Sequence, residues 1–414
     1  QKVENRRFSS LKILYISGSF PEPNKGSTIY TDLAEALNEA GHEITVVVYE
    51  QSINKKKSEM KKERGFDVLR IVTGNYFNVG LFQKGLTSLI IPILMRMGIN
   101  KYINNYLIDI ILFEAPPVTN AGLIVWAKKK FKCQTYLMLK DIFPQNAVDL
   151  GIMKRNGLIF KYFEAMEKKL YKTADTIGCM SLANKQYLIK HNPFIIDKVE
   201  LFPNTKKLNN SFKPSDKNIM RERYSISNEA CVFVFGGNMG KPQYIDLLCA
   251  TIKQCKNEEN IFFLFIGSGT ERFKLEQTIN NNQIINAVVI ESIPRNDYEQ
   301  IIKECDIGLI VLDPRFTIPN FPSRILTFME YAKPVLAATD KVTDIKDMIE
   351  EAQCGEWVWS GSIDSFISKI KEMAVSNDLP TKGSNGRRYI EENFTVNYSV
   401  EIIEKHLKQL SEVI

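Results

Sequence analysis

The chain of 414 residues is 44% apolar and 25% charged. That describes a soluble globular protein too long for one ordinary core, so two domains of about 200 residues each are expected. Its longest apolar run, Leu86 to Met95 with Pro92 inside it, falls well short of the ~20 residues that a spanning helix needs, which excludes a helical membrane protein.

Leu11-Lys-Ile-Leu-Tyr-Ile16 reads as a strand, Ser17 to Ser27 as a turn-rich loop, and Ile29, Leu33, Leu37 and Ala40 recur at helical spacing before Gly41. With the strand Ile44–Tyr49 they make a βαβ unit, whose first loop is where a parallel sheet offers backbone amides to a ligand. Lys55 to Arg64 reads as a solvated connection and Asp67–Val72 as another strand. From Phe82 to Ile99, apolar Leu86, Leu89, Ile90, Ile93, Leu94 and Met97 have Lys84, Arg96 and Lys101 at their margins. Two readings stand: a buried helix, or an interfacial helix dipping into a membrane.

Strands at Asp109–Phe113 and Gln134–Leu139 end at Glu114 and at Lys140-Asp141. Both acids fall where the ligand crevice of an open parallel sheet lies, so each is a candidate for binding an acceptor or acting as a base. Asp141 could equally cap its loop before Pro144. Leu158, Phe163, Met166 and Leu170 form a core stripe, and strands at Thr176–Met180 and Val199–Phe202 complete the sheet. The polar segment Pro203–Asn218 is the interdomain connection.

The strand–helix alternation then restarts with strands at Cys231–Phe235, Ile261–Ile266, Ala287–Ile290, Ile307–Leu312 and Pro334–Ala338, and glycine loops at Gly236–Pro242 and Gly267–Thr270. The fold class is therefore α/β: two Rossmann-like, doubly wound parallel-sheet domains facing across a cleft. The expected boundaries are 1–205, 206–388, and a helical tail 389–414 that packs back on the first domain, loosened from the second by Gly383 to Gly386.

Pro319 to Pro322 forbid regular structure, and Ser323 reads as the N-cap of a helix Arg324–Ala332. Its free N–H groups and Arg324 suit a diphosphate. Glu330, seven residues past Ser323, returns to the same face, where it could accept sugar hydroxyls. Gly267-Ser268-Gly269 imitates a dinucleotide fingerprint with Glu291 downstream, but the third glycine is Arg272. The three histidines and seven scattered cysteines suggest no metal centre, and the cysteines read as small hydrophobes in a reducing cytosol.

Residues 1–205 hold 29 Lys and Arg against 19 Asp and Glu, whereas 206–414 hold 25 against 29, within a formal net charge of +6. The basic half suits an anionic lipid surface or a phosphorylated acceptor. Nucleic acid is ranked lower, because clusters such as Lys128–Lys130 lack interleaved aromatics for base stacking.

Through Gly41-His-Glu-Ile-Thr-Val46, Asp141-Ile-Phe-Pro-Gln145, Gly237-Asn-Met-Gly-Lys241, Gly267-Ser-Gly-Thr-Glu-Arg272 and Pro322-Ser-Arg-Ile-Leu-Thr-Phe-Met-Glu330, nearly the whole chain resembles the retaining glycosyltransferases of family 4. Their fold is GT-B, and the similarity is nearest to the branch adding amino sugars or deoxysugars in bacterial surface polysaccharide (O-antigen or capsule) assembly. The resemblance implies Glu330 as the second acid of a Glu-x7-Glu motif, holding the nucleotide ribose, with the first acid replaced by Pro322. Backbone N–H groups around Phe321 and Ser323 then substitute for that acid, or the sugar offers fewer hydroxyls. The Arg and Lys that grip the diphosphate read Asn238 and Gln243 here, so Lys241 and Arg324 are the nominees for their charge.

The donor-binding set implied is Gly26, Gly237, Asn238, Gly240, Gly267, Ser268, Ile293, Phe321, Pro322, Ser323 and Glu330, with Glu114, Asp141, Lys241 and Arg324 catalytic. Glu114, Asp141 and the departing phosphate are all open as proton acceptors. The implied co-substrate is a UDP-sugar with no metal or other cofactor, and the acceptor a polyprenyl-diphosphate-linked saccharide. The expected location is cytoplasmic, peripheral on the inner face of the plasma membrane, with no leader ahead of Phe8. Two other classes stay open: an NAD-dependent oxidoreductase or nucleotide-sugar epimerase using the Gly267 loop, and a non-catalytic membrane-docked partner.

Overall fold

The computed structural model describes residues 10–51, 57–75, 81–209 and 219–411, with backbone alone for 81–84 and 406–411. The first sheet contains β1 (Lys12–Ser17), β2 (Glu43–Gln51), β3 (Glu59–Glu63), β4 (Phe66–Thr73), β5 (Ile110–Ala115), β6 (Gln134–Leu139), β7 (Thr176–Cys179) and β8 (Val199–Leu201), in the order β3-β4-β2-β1-β5-β6-β7-β8. Only β3 runs antiparallel. The second contains β9 (Cys231–Gly236), β10 (Ile261–Ile266), β11 (Ala287–Ile290), β12 (Ile307–Val311), β13 (Val335–Thr339) and β14 (Gly355–Trp359), all parallel, in the order β11-β10-β9-β12-β13-β14.

The apolar run of β9 is buried at every position, as a parallel strand covered by helices on both faces requires. Helices Leu81–Tyr102, Ala121–Phe131 and Leu158–Thr173 share the core on one face of the first sheet. Ile29–Glu39 and Val396–Ser411 cover the other. In each sheet the strand order reverses beside its first strand, β1 between β2 and β5, and β9 between β10 and β12. Those switch points open crevices at the strands' carboxyl ends.

Two strands escape the sequence reading. Residues 59–63, inside the expected connection, form β3, whose Glu-Met-Lys-Lys-Glu has the charge pattern that guards an exposed sheet edge; Lys55 and Lys56 lie outside the described residues. β14 forms an edge of the second sheet. Leu158, expected in the core, is 87% exposed, while Leu170 and Tyr171 are buried. All seven cysteines are buried and free.

The tail is two helices, Leu379–Asn393 and Val396–Ser411. Gly383 and Gly386 lie inside the first and tighten it rather than loosen it. A Cβ on Gly383 would stand 1.9 Å from the Ala332 carbonyl oxygen, and one on Gly386 3.1 Å from Cys354 Cβ. Their absence lets this helix press onto the end of the helix Arg324–Glu330. Val396, Val400 and Ile403 of the last helix enter the first domain's core, and Ser399 bonds Thr205 at 2.7 Å. Leu407, Leu410 and Val413 lie beyond the described side chains.

Gly383→Ala should therefore cost about 1–3 kcal/mol in denaturant unfolding through overpacking. Gly85→Ala, in a helix with nothing within 4 Å of the added carbon, should instead stabilise by about 0.5–1 kcal/mol. Equal effects would contradict the packing role of Gly383.

Candidate active site

Loops from both switch points meet in one cleft of about 540 Å³. The first domain contributes Ser27, Thr28, Tyr30, Lys140 and Asp141, and the second Gly237, Gln243, Arg295, Tyr298, Glu299, Phe321 to Arg324, and Thr327. Lys206 comes from the connection between them. The loops after β9 and β10 lie against each other: Gly237 N–H donates to the Ile266 carbonyl and Met239 N–H to that of Ser268, both at 2.8 Å. Any side chain on Gly267 would strike the Gly237 carbonyl oxygen at 1.9 Å, and Gly237 itself has φ +114°. Glycine is required at both places.

Arg324 opens its short helix and stands 4.8 Å over the Phe235 ring. Its Nη1 is buried without a hydrogen-bond partner, and among the described residues it makes no ion pair. Burial pushes it down to about 10, with Tyr298 opposing, so it remains charged at neutral pH. Lys140, at the carboxyl edge of β6, bonds Asn204 Oδ1 at 2.6 Å and also lacks a carboxylate partner among those residues. Burial lowers it to about 8, partly offset by Glu114. Two cations thus face one polar cleft without an ion pair of their own among the described residues, an arrangement that burial penalises unless an anion joins them.

The other cations are neutralised. Arg295 reaches across to Asp32 of the first domain at 3.2 Å and to Ser27 Oγ at 2.8 Å, while its Nε donates to Glu299 at 2.8 Å. Lys206 pairs with Glu299 at 2.9 Å and with Glu330. Tyr331 donates to the second oxygen of Glu299 at 2.7 Å.

Residues 216–388 match the family described as Glycosyl transferases group 1. That stretch is most of the second domain and less than half of the chain. The protein named "Probable glycosyltransferase WbjE" from Pseudomonas aeruginosa is 22% identical over 280 residues, 64% of this chain and 66% of that one. "Uncharacterized glycosyltransferase MJ1059" from Methanocaldococcus jannaschii is 21% identical over 239 residues, 55% and 56% respectively. The match therefore spans less than two thirds of the length of either curated relative.

Three solved structures align over nearly the full length. Sucrose-phosphate synthase from Thermosynechococcus elongatus superposes with TM-score 0.78 at 15% identity, over 97% of this chain and 100% of that one. Anabaena Alr3699/HepE in complex with UDP-glucose gives 0.71 at 16%, over 96% and 100%. WaaG, a glycosyltransferase involved in lipopolysaccharide biosynthesis, gives 0.67 at 12%, over 94% and 98%. At these identities the likeness establishes architecture, and that architecture is GT-B.

In this GT-B fold the expected site residues separate into those that reach the cleft and those that do not. Asp141, Gly237, Phe321, Pro322, Ser323 and Arg324 line it. Gly267 and Ile293 line a side pocket of about 290 Å³ that shares Gly237, Arg324 and Thr327 with the cleft. Gly26 lies behind Ser27 with its carbonyl bonded by Arg64. Ser268 Oγ accepts from Ser292 at 3.1 Å. Asn238 is exposed and donates to Gln243 Oε1, which also receives Gly240 N–H, so the cleft residue of this loop is Gln243.

Four expectations are corrected. Lys241 is exposed and does not line the cleft; Lys140 supplies a cation there instead. Glu114 is buried behind the loop after β1, where Gly18 N–H, the Ser17 hydroxyl and the Tyr15 hydroxyl all donate to it. Of the two strand-end acids only Asp141 faces the cleft. Ser323 is helical in conformation and its side chain caps nothing, and the helix ends at Glu330. Glu330 is buried, accepts Asn209 N–H at 2.8 Å and pairs with Lys206. It lies about 120° around the helix from Arg324, whereas Thr327, one turn on, shares Arg324's face.

Lys140, Arg295, Glu299 and Thr327 were missed. Lys140 was visible beside Asp141 at a strand end; Arg295 and Glu299 acquire meaning only through contacts across the cleft. Among the described residues no three His, Cys, Asp or Glu gather as metal ligands.

Paired and unpaired arginines should respond oppositely to removal. Arg295→Met strands Asp32 and should lose about 3 kcal/mol in denaturant unfolding, whereas Arg324→Met should leave stability equal or higher. A larger loss at Arg324 would contradict its reading as uncompensated.

Proposed function

We propose that the protein is a retaining glycosyltransferase moving a sugar, of amino or deoxy type, from a UDP-sugar to a polyprenyl-diphosphate-linked saccharide in bacterial surface polysaccharide assembly, on the cytoplasmic face of the membrane. The observation that carries the reading is the pair of uncompensated cations, Arg324 and Lys140, facing one cleft at the meeting of two switch points. A diphosphate leaving group gathers negative charge as the bond from the anomeric carbon breaks, and preorganised cations stabilise that charge without reorganisation. UDP is favoured by HepE, solved with UDP-glucose, and a polysaccharide role by WaaG's part in lipopolysaccharide biosynthesis.

Asp141 accepts Ile142 N–H at 2.8 Å and the Asn146 amide, and burial pushes it up to about 6 against those bonds. A carboxylate so placed receives the hydroxyl of an acceptor entering from the basic domain, and its pKa suits taking a proton near neutral pH. The acceptor oxygen bonds to the anomeric carbon on the face that the phosphate leaves. Side chains neutralise the phosphate, so no divalent cation is required. A dinucleotide enzyme is less well supported, since Gly267 and Gly269 are fixed by loop packing and Glu291, 85% exposed at its side chain, faces Arg272 at 3.4 Å.

Transfer from UDP-, GDP- and ADP-sugars to a polyprenyl-diphosphate saccharide, assayed in EDTA with NAD as a competing ligand, tests the function. The expected result is UDP-dependent product whose anomeric proton matches the donor's configuration; an inverted product, or binding of NAD alone, would overturn it. The rate should fall as pH drops through about 6, where Asp141 protonates. Asp141→Asn should lower kcat about 100-fold or more and abolish that acidic limb. A change confined to KM would instead make the leaving phosphate the proton acceptor.

A further inference from the structure

Helix Leu81–Tyr102 has two apolar faces. Ile91, Met95 and Ile99 are buried in the first domain's core. Leu86, Leu89, Ile90, Ile93 and Met97, spaced as one stripe, face outward, with Ile93 and Met97 still 59% and 62% exposed. A surface helix of a globular protein is ordinarily polar on that side. A second patch is formed by Ile152, Leu158, Ile159 and Tyr162, all exposed, at and just before the start of helix Leu158–Thr173.

These two helices pack into the same core on the same face of the first sheet. Each follows a parallel strand and returns to the next, so each begins at the carboxyl edge, where the cleft opens. Both helices therefore begin on the side of the sheet where the cleft opens.

The sequence windows that carry both patches hold charges of one sign. Residues 68–108 contain no Asp or Glu, and neither do residues 150–163. Arg96 stands 5.1 Å over the Trp126 ring and Lys130 5.7 Å over it, tying the stripe to the neighbouring Lys128–Lys130 cluster. Lys154, Arg155 and Lys161 are exposed around the second patch. No helix among the described residues is long and apolar enough to cross a membrane.

We propose that this face docks on an anionic lipid bilayer, the aliphatic stripe entering the acyl boundary and the basic rim resting on the headgroups. A second copy of the chain suits the surface poorly, because two rims with a basic excess would meet like to like. Docked this way, the mouth of the cleft opens at the lipid surface, so that an acceptor carried on a lipid is delivered without leaving the bilayer. The docking deepens the acceptor assigned above, but its test reads binding alone and is independent of transfer.

The experiment is cosedimentation of the full chain with phosphatidylglycerol-containing vesicles and with pure phosphatidylcholine vesicles, at low and high salt. Wild type is compared with Leu89→Ser/Ile93→Ser and separately with Leu158→Ser/Ile159→Ser. Binding to the anionic vesicles alone, weakened by salt and about tenfold weaker in each double variant at unchanged Tm, is expected. Wild type that fails to bind, variants that bind equally, or a solution dimer dissolved by the same substitutions would overturn the proposal. The two variants lie on separate helices, so misfolding of one leaves the other decisive.

Discussion

A guanidinium with no counter-ion is the feature on which the rest of this cleft depends. Arg324 is held by the ring of Phe235 and by the turn that opens its helix. The neighbouring loops leave no room for a side chain at Gly267, and Gly237 takes a positive φ that favours glycine. Nothing in the described protein neutralises it, while the cations around it, Arg295 and Lys206, are each matched with carboxylates. That contrast separates a charge built for the fold from one built for a ligand. In the function proposed above, the diphosphate of the donor supplies the missing anion.

The cleft exists because the two sheets are fixed opposite one another, and polar contacts cross on both sides of it. On one side Asp32 meets Arg295, and Lys206 joins Glu299 to Glu330. On the other, Asp149 accepts from Thr317 N–H at 2.8 Å, Asn184 donates to the Pro319 carbonyl at 3.1 Å, and Asp344 accepts Ala183 N–H at 3.0 Å. Phe316 and Ile318 also insert into the core of the first domain. Glu330 therefore belongs to the hinge, where its carboxylate anchors the interdomain connection through Lys206 and Asn209.

Much of the fold was legible because parallel strands buried on both faces write themselves as unbroken apolar runs, and glycine loops follow them. The strands left unread, β3 and β14, are edges, where that rule relaxes. Asp141 and Gly237 were legible because they stand where apolar runs stop, and Arg324 because two prolines and Ser323 mark the start of a helix. Glu330 was misread because helical spacing fixes only a shared face, whereas its partners Lys206 and Asn209 arrive from the interdomain connection. Arg295 carried no local signal at all. Its partner Asp32 lies 263 residues away, and only the closed arrangement of the domains brings them together. The stripe of helix Leu81–Tyr102 had two readings because its composition suits a core and a membrane equally; the structure uses one face for the core and leaves the other open.

Arg324 and Lys140 are together proposed to hold a diphosphate. Calorimetric titration of uridine and of UDP into wild type and into the Arg324→Met/Lys140→Met variant isolates that contribution, because the two ligands differ only in the diphosphate. UDP affinity is expected to fall towards that of uridine in the variant while uridine binding is unchanged. Equal losses for both ligands, or UDP binding that survives the double substitution, would contradict it.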